Sequence, residues 1–280
     1  MKAKSIKIQG CSISYLDEGS GYPSLVIHGW LGVKEVFQPI INELKHKHRM
    51  IVPDLPGLGD SQPLSDFKKA GIQEYLNFID NFVNELNLDE FNIWGNSYGA
   101  IFALLYANKY PNKVKKIVLH APVYSCKYLP KIFTNSFMFF FIKYSSRIKF
   151  LRGLYAKIVE KLFIDKMILS GIKNSDKQRI AFATQVADRL RRTIRKDSAR
   201  VIVKNLIVEA LKIDLSKIIK RINHPVLVVW GKDDKLNNYN GAEYLLENMI
   251  NSELLETDNA HSITRQDFKH LSNGINKFLT

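Results

Sequence analysis

The chain has 280 residues, 46% hydrophobic and 24% charged. That balance belongs to a folded protein with a large core and excludes a disordered chain. Two cysteines, Cys11 and Cys126, are too few for a disulfide framework or a cysteine-based zinc site. No apolar run reaches the roughly 18 residues of a membrane span. The formal net charge is +14, and it is unevenly spread: residues 123–222 hold 23 Lys and Arg against 7 Asp and Glu, a net of +16, while the remainder carries −2. The basic character therefore belongs to one segment of about a hundred residues, either a module with its own surface role or simply lysine-rich solvated helix faces. The basic start Met1-Lys2-Ala3-Lys4 has no apolar stretch behind it, so no secretory signal is expected. With so few cysteines, the expected location is cytoplasmic, with peripheral membrane contact through the basic segment left open.

In chain order, Ser5–Gln9 and Ser12–Leu16 read as strands joined at Gly10-Cys11, and 17–23 as a turn. Leu25-Val26-Ile27 is a short apolar run of the kind buried in a parallel sheet, ending at His28-Gly29. Residues 35–46 are helical in pattern, Met50-Ile51-Val52 a strand, and 53–61 a turn-rich loop. In 71–87, Ile72, Leu76, Ile79, Val83 and Leu86 recur at helical spacing. Residues 91–94 form a strand, 98–109 a helix that stops before Pro111, and 117–119 a strand. This alternation implies a mostly parallel sheet covered by helices on both faces. From Tyr124 to Arg221 the pattern is helical, with Phe182, Val186, Leu190 and Ile194 as the apolar stripe of a basic helix. Strand-helix alternation resumes at 226–229, 240–249, 253–256 and 268–279. The expected organisation is an α/β core of 1–122 and 223–280 carrying an all-helical, basic insertion of 123–222.

Four features carry chemistry. Gly95-Asn96-Ser97-Tyr98-Gly99 fits G-x-S-x-G between an apolar strand and a helix. A tight turn there stands a serine clear of the backbone at a helix N-terminus, where N–H groups favour developing negative charge. A serine needs a base. Of the seven histidines, His261 lies in a polar loop after the last strand, at the sheet end where α/β proteins place their sites. His46 and His48 read as surface residues at a helix end, His120 as the end of a strand, His224 as a loop residue and His270 as solvated. The orienting acid is either Asp233 or Asp234, both following the strand 226–229. Finally, His28-Gly29-Trp30-Leu31-Gly32 follows the strand 25–27, and its backbone with the N–H of Tyr98 suits an oxyanion hole.

Together, and in this order, these elements resemble the α/β-hydrolase superfamily. His28-Gly29 looks like its His-Gly oxyanion motif, 53–61 like its D-x-x-G-x-G-x-S loop, and Gly95–Gly99 like its nucleophile elbow. Trp230-Gly231-Lys232-Asp233-Asp234 resembles its W-G-x-x-D segment, a register that points to Asp234 as the acid. Ala260 stands before His261 where the family usually has glycine. The resemblance implies an α/β-hydrolase fold with a helical lid, and a Ser97–Asp234–His261 triad with Trp30 and Tyr98 as oxyanion donors. His28, Gly29, Gly95 and Gly99 would support them, and no metal or cofactor is expected. The implied activity is hydrolysis of a small-molecule ester with a moderately apolar acyl group. The alternatives are C–C bond hydrolysis of the meta-cleavage type and a peripheral membrane lipid hydrolase. Tyr128, Leu129, Phe133, Phe137, Met138, Phe140 and Phe141 are candidates for the acyl pocket or for the lid's own core. The basic lid suits an anionic membrane surface, and nucleic acid is not expected because no nucleic-acid module accompanies the charge.

Overall fold

A computed structural model of the chain describes residues 1–129, 144, 149–169, 177–234, 236–257, 261, 263 and 267–280. Eight strands form one sheet: β1 (Lys4–Ile8), β2 (Cys11–Glu18), β3 (Tyr22–Ile27), β4 (His48–Pro53), β5 (Phe91–Asn96), β6 (Val114–His120), β7 (Val226–Gly231) and β8 (Ser252–Thr257). Their order is β1-β2-β4-β3-β5-β6-β7-β8. β1 and β2 pair antiparallel, as does β2 with β4, and every other pairing is parallel.

Burial on both faces explains why the central strands read as continuous apolar runs. In β7, Val226, Val228 and Trp230 enter one apolar cluster while Leu227 and Val229 enter the other. The second cluster is covered by α1 (Gln38–Leu44) and α9 (Phe268–Leu279). The first is covered by α2 (Ile72–Glu85), α3 (Gly99–Lys109) and α8 (Asn240–Asn248). α3 is buried on nearly all sides up to Ala107, as its apolar sequence to that point requires. The helix expected over 35–46 is shorter and begins with a tight 3-10 turn at Lys34–Phe37. Pro39 lacks an N–H and sits in the first turn of α1, where none is needed.

Between β6 and β7 the described residues are largely helical: α4 (Lys149–Val159), continued by wider π-type turns over Glu160–Leu169, then α5 (Lys177–Arg195), α6 (Asp197–Ala210) and α7 (Ser216–Ile219). The expected apolar stripe of α5 is present: Val186, Leu190 and Ile194 are buried. These side chains join the same continuous apolar cluster as the face of the sheet they cover.

An ion cluster ties this segment to the sheet. The ammonium of Lys34, fully buried, lies 2.7 Å from Asp54, 2.9 Å from Asp60 and 3.0 Å from Glu35. Burial works against its charge, but the three carboxylates outweigh burial and hold its pKa above the ordinary lysine value. Arg189 of α5 bonds Glu35 at 3.2 Å and Asp60 at 2.9 Å, and Lys196 donates to the carbonyl of Gly59 at 2.7 Å. Removing one partner from such a cluster strands a buried charge. Lys34→Ala is therefore expected to lower unfolding free energy by about 3–5 kcal/mol, read from the urea midpoint. A loss near that of a surface lysine would contradict the account.

Candidate active site

The strand order reverses direction at β3. The chain passes from β3 through α1 to β4 on one side, and from β4 through α2 to β5 on the other. The C-terminal ends of β3 and β5 therefore open a crevice, where α/β sheets place their sites. Two of the sequence features emerge there: the loop 28–32 after β3 and Ser97 after β5.

Ser97 has φ +51°, the left-handed region that a residue with a side chain adopts only at a cost. Its N–H donates to His120 O at 2.8 Å, and its carbonyl accepts from Ala100 at 3.1 Å and Val123 at 3.0 Å. The flanking glycines allow the turn. A Cβ on Gly95 would stand 2.5 Å from Ala100 Cα, and one on Gly99 would stand 2.3 Å from Ile27 O. Neither position admits a side chain without moving backbone. The loop after β3 runs alongside: a Cβ on Gly29 would stand 3.1 Å from Ser97 Cβ.

His261 bridges serine and acid. Ser97 Oγ donates to His261 Nε2 at 2.8 Å, and His261 Nδ1–H donates to Asp234 Oδ2 at 2.8 Å. The other carboxylate oxygen accepts the N–H groups of Leu236 at 2.8 Å and Asn237 at 2.9 Å. Asp233 is exposed, so the structure separates the two acids that spacing left open. Burial pushes the Asp234 pKa up, but His261 and the two N–H groups outweigh it and hold the carboxyl below its ordinary range. Asp234 is thus ionised at neutral pH. Asn237 is itself fixed, donating to the carbonyls of Ala121 at 2.7 Å and Pro122 at 3.2 Å.

His28 organises the loop after β3. The N–H of Leu55 donates to His28 Nε2 at 3.0 Å, so the proton sits on Nδ1 and is donated to Gly29 O at 2.9 Å. Burial lowers its pKa and keeps the ring neutral. Gly32 N–H donates to the same Gly29 carbonyl at 2.9 Å. The Trp30 indole reaches across to donate to Val203 O of α6 at 2.7 Å, and packs edge-on against Phe163 at 4.6 Å. Tyr98 follows Ser97 at the start of α3.

A pocket of about 70 Å³ opens on Ser97 and His261. The core lines it with Trp30, Val36 and Ile263; among the described residues of the segment between β6 and β7, Phe163, Ile168 and Leu190 line it. Tyr128 and Leu129 do not. They pack against the core, Tyr128 ringed by Tyr124 and Tyr244. Phe133, Phe137, Met138, Phe140 and Phe141 lie outside the described residues. His48 is corrected: it opens β4, is buried and hydrogen-bonds Asn276 at 3.0 Å, because the helix before it ends at Leu44. His120 is buried beneath the site, with neither ring nitrogen bonded among the described residues. Its burial, with charge at His261, pushes its pKa down to about 3. Among the described residues, no group of three or more His, Cys, Asp and Glu side chains is placed to hold a metal ion.

The family model for the alpha/beta hydrolase fold matches residues 23–263. The chain belongs to the α/β-hydrolase family. It is 26% identical over 267 residues to 2-hydroxy-6-oxononadienedioate/2-hydroxy-6-oxononatrienedioate hydrolase 1 of Pseudomonas putida, covering 90% of this chain and 87% of that protein. It is 29% identical over 113 residues to a soluble epoxide hydrolase of Corynebacterium sp. (strain C12). That match covers 40% of this chain and 38% of that protein, and several other curated relatives are likewise spanned over about two fifths of their length. A thermophilic esterase from Thermogutta terrifontis superposes with a TM-score of 0.80 at 19% identity, over 99% of this chain and 98% of that one. At that identity the likeness shows the fold.

Because the Asp234 pKa is lower folded than unfolded, its ionisation stabilises the fold above the unfolded carboxyl value, about 3.9. That contribution is lost as pH falls through the folded value. The stability of wild type relative to Asp234→Asn, measured by urea titration, is expected to be constant above about pH 5 and to shift against wild type below about pH 4. A difference unchanged down to pH 3 would contradict the depressed carboxyl.

Proposed function

We propose that the chain is a serine hydrolase that cleaves a carboxylic ester through an acyl-enzyme. The observation that carries this reading is the continuous hydrogen-bonded line from Ser97 Oγ through His261 to Asp234. As Ser97 Oγ bonds to the carbonyl carbon, its proton passes to His261 Nε2, and the ionised Asp234 stabilises the imidazolium that results. The N–H groups of Trp30 and Tyr98 receive the oxyanion, each worth on the order of 10²–10³ in rate at comparable sites. The alcohol leaves with the proton from His261. Water then attacks the acyl-enzyme, giving a proton to His261, and His261 returns it to Ser97 Oγ as the acid is released.

The helices between β6 and β7 serve as the lid in this reading, since Phe163, Ile168 and Leu190 form one side of the pocket. The pocket is apolar and, at about 70 Å³, less than half the roughly 150 Å³ that holds a benzene ring. It suits a short, uncharged acyl group. A second reading, C–C bond hydrolysis, is favoured by the likeness over 90% of the chain to a 2-hydroxy-6-oxononadienedioate hydrolase. Both use the same serine.

The test is hydrolysis of p-nitrophenyl esters from acetate to palmitate. Wild type is expected to prefer acetate to butyrate over the long esters by at least about tenfold, each methylene that fails to fit forfeiting about 0.8 kcal/mol. Ser97→Ala is expected to abolish turnover with an unchanged melting curve. Turnover by Ser97→Ala refutes the assignment; activity confined to vinylogous C–C substrates moves the assignment to the second reading.

A further inference from the structure

The helix that supplies Phe163 and Ile168 to the pocket carries a second surface. On its inner side Tyr155, Ala156, Val159 and Ile164 are buried. On its outer side lie Leu154, Lys157, Ile158, Lys161 and Leu162, spaced three and four residues apart. Leu154 is 38% exposed and Leu162 is 47% exposed, and only five large apolar side chains are that exposed among the described residues. Lys157 and Lys161 are exposed between them and make no ion pair among the described residues. Arg192, on the adjacent α5, is likewise exposed and unpaired among the described residues. The segment that holds this face has a net charge of +16, against −2 for everything else.

We infer that this outer face docks the protein on an anionic lipid bilayer. Aliphatic side chains interleaved with lysines match the boundary between headgroups and acyl chains. Leucines enter the apolar layer while lysine stems lie along it and lift their ammoniums to the phosphates. Charge supplies the complement, since each basic residue near an anionic surface adds about five-fold in partition. The composition fits nucleic acid poorly, because the face offers no aromatic ring on which bases stack. The membrane would meet the back of the wall that closes the pocket. Among the described residues no helix is long and apolar enough to cross a membrane, so contact through this face would be peripheral.

The test uses the full chain with Ser97→Ala, so that binding is read whether or not the proposed chemistry holds. The probe is a phosphatidylcholine vesicle with and without about 30 mol% phosphatidylglycerol. Co-sedimentation is expected with the anionic vesicles only, and is expected to fall in about 0.5 M NaCl, where surface charge is screened. Lys157→Glu/Lys161→Glu and, separately, Leu154→Ser/Leu162→Ser are each expected to weaken partition about tenfold or more, with melting temperature unchanged. Equal binding to both vesicle types, or binding that survives either double variant, overturns the proposal. So does a wild type that is dimeric by sedimentation and becomes monomeric in the leucine variant, because a second copy would then occupy the face.

Discussion

The backbone of Ser97 is the constraint on which the site depends. Its left-handed conformation costs on the order of 1–3 kcal/mol. Hydrogen bonds to three different elements hold it: the end of β6 through His120, the first turn of α3 through Ala100, and the chain after β6 through Val123. Relaxing Ser97 would break all three, and a side chain at Gly95 or Gly99 would collide with the backbone of Ala100 or Ile27. The parallel pairing of β3, β5 and β6 therefore sets where the hydroxyl stands, and the hydrogen bonds from α3 and from the chain after β6 help to hold the strained turn. The same register brings the ends of β7 and β8 alongside, so the turn after β7 delivers Asp234 and the chain after β8 delivers His261.

A second set of contacts holds the opposite wall. Asp54 is fully buried and accepts both the backbone N–H and the ammonium of Lys34. The next residue, Leu55, donates to His28. One loop thus fixes both ends of the turn after β3, and with it the backbone of Trp30. Glu35 and Asp60 extend the network outward to Arg189, whose neighbour Leu190 lines the pocket beside Val36. The helical segment is anchored to the core by charge at the pocket edge and by the Trp30 contacts with Val203 and Phe163. A cluster of this kind contributes position more than net stability, because desolvation offsets much of its attraction.

The parts of the site that local chemistry dictates were legible in the sequence. A serine between glycines at a strand end allows few conformations, and a short apolar run bounded by turns is a buried strand. His261 was legible from its place after the last strand. Spacing alone left Asp233 and Asp234 open, because the choice is made by the N–H groups of Leu236 and Asn237 closing on one carboxylate. The family register pointed to the same residue. The pocket wall was legible only in part. Leu190 could be placed on an apolar stripe, but nothing in the local pattern says that Phe163 and Ile168 meet Val36 and Ile263 rather than one another. Tyr128 was drawn away by two tyrosines, one of them more than a hundred residues distant. The Lys34 cluster was invisible for the same reason, since Arg189 and Glu35 are neighbours only in the fold.

In the proposed chemistry Ser97 is a nucleophile activated by His261. A fluorophosphonate reacts at phosphorus only with a serine whose proton is being removed, so it reads activation without requiring the natural substrate. Peptide mapping by mass spectrometry after labelling should place one adduct on Ser97 in wild type and none in a folded His261→Ala variant. No adduct, an adduct on another residue, or equal labelling of the His261→Ala variant would contradict the account.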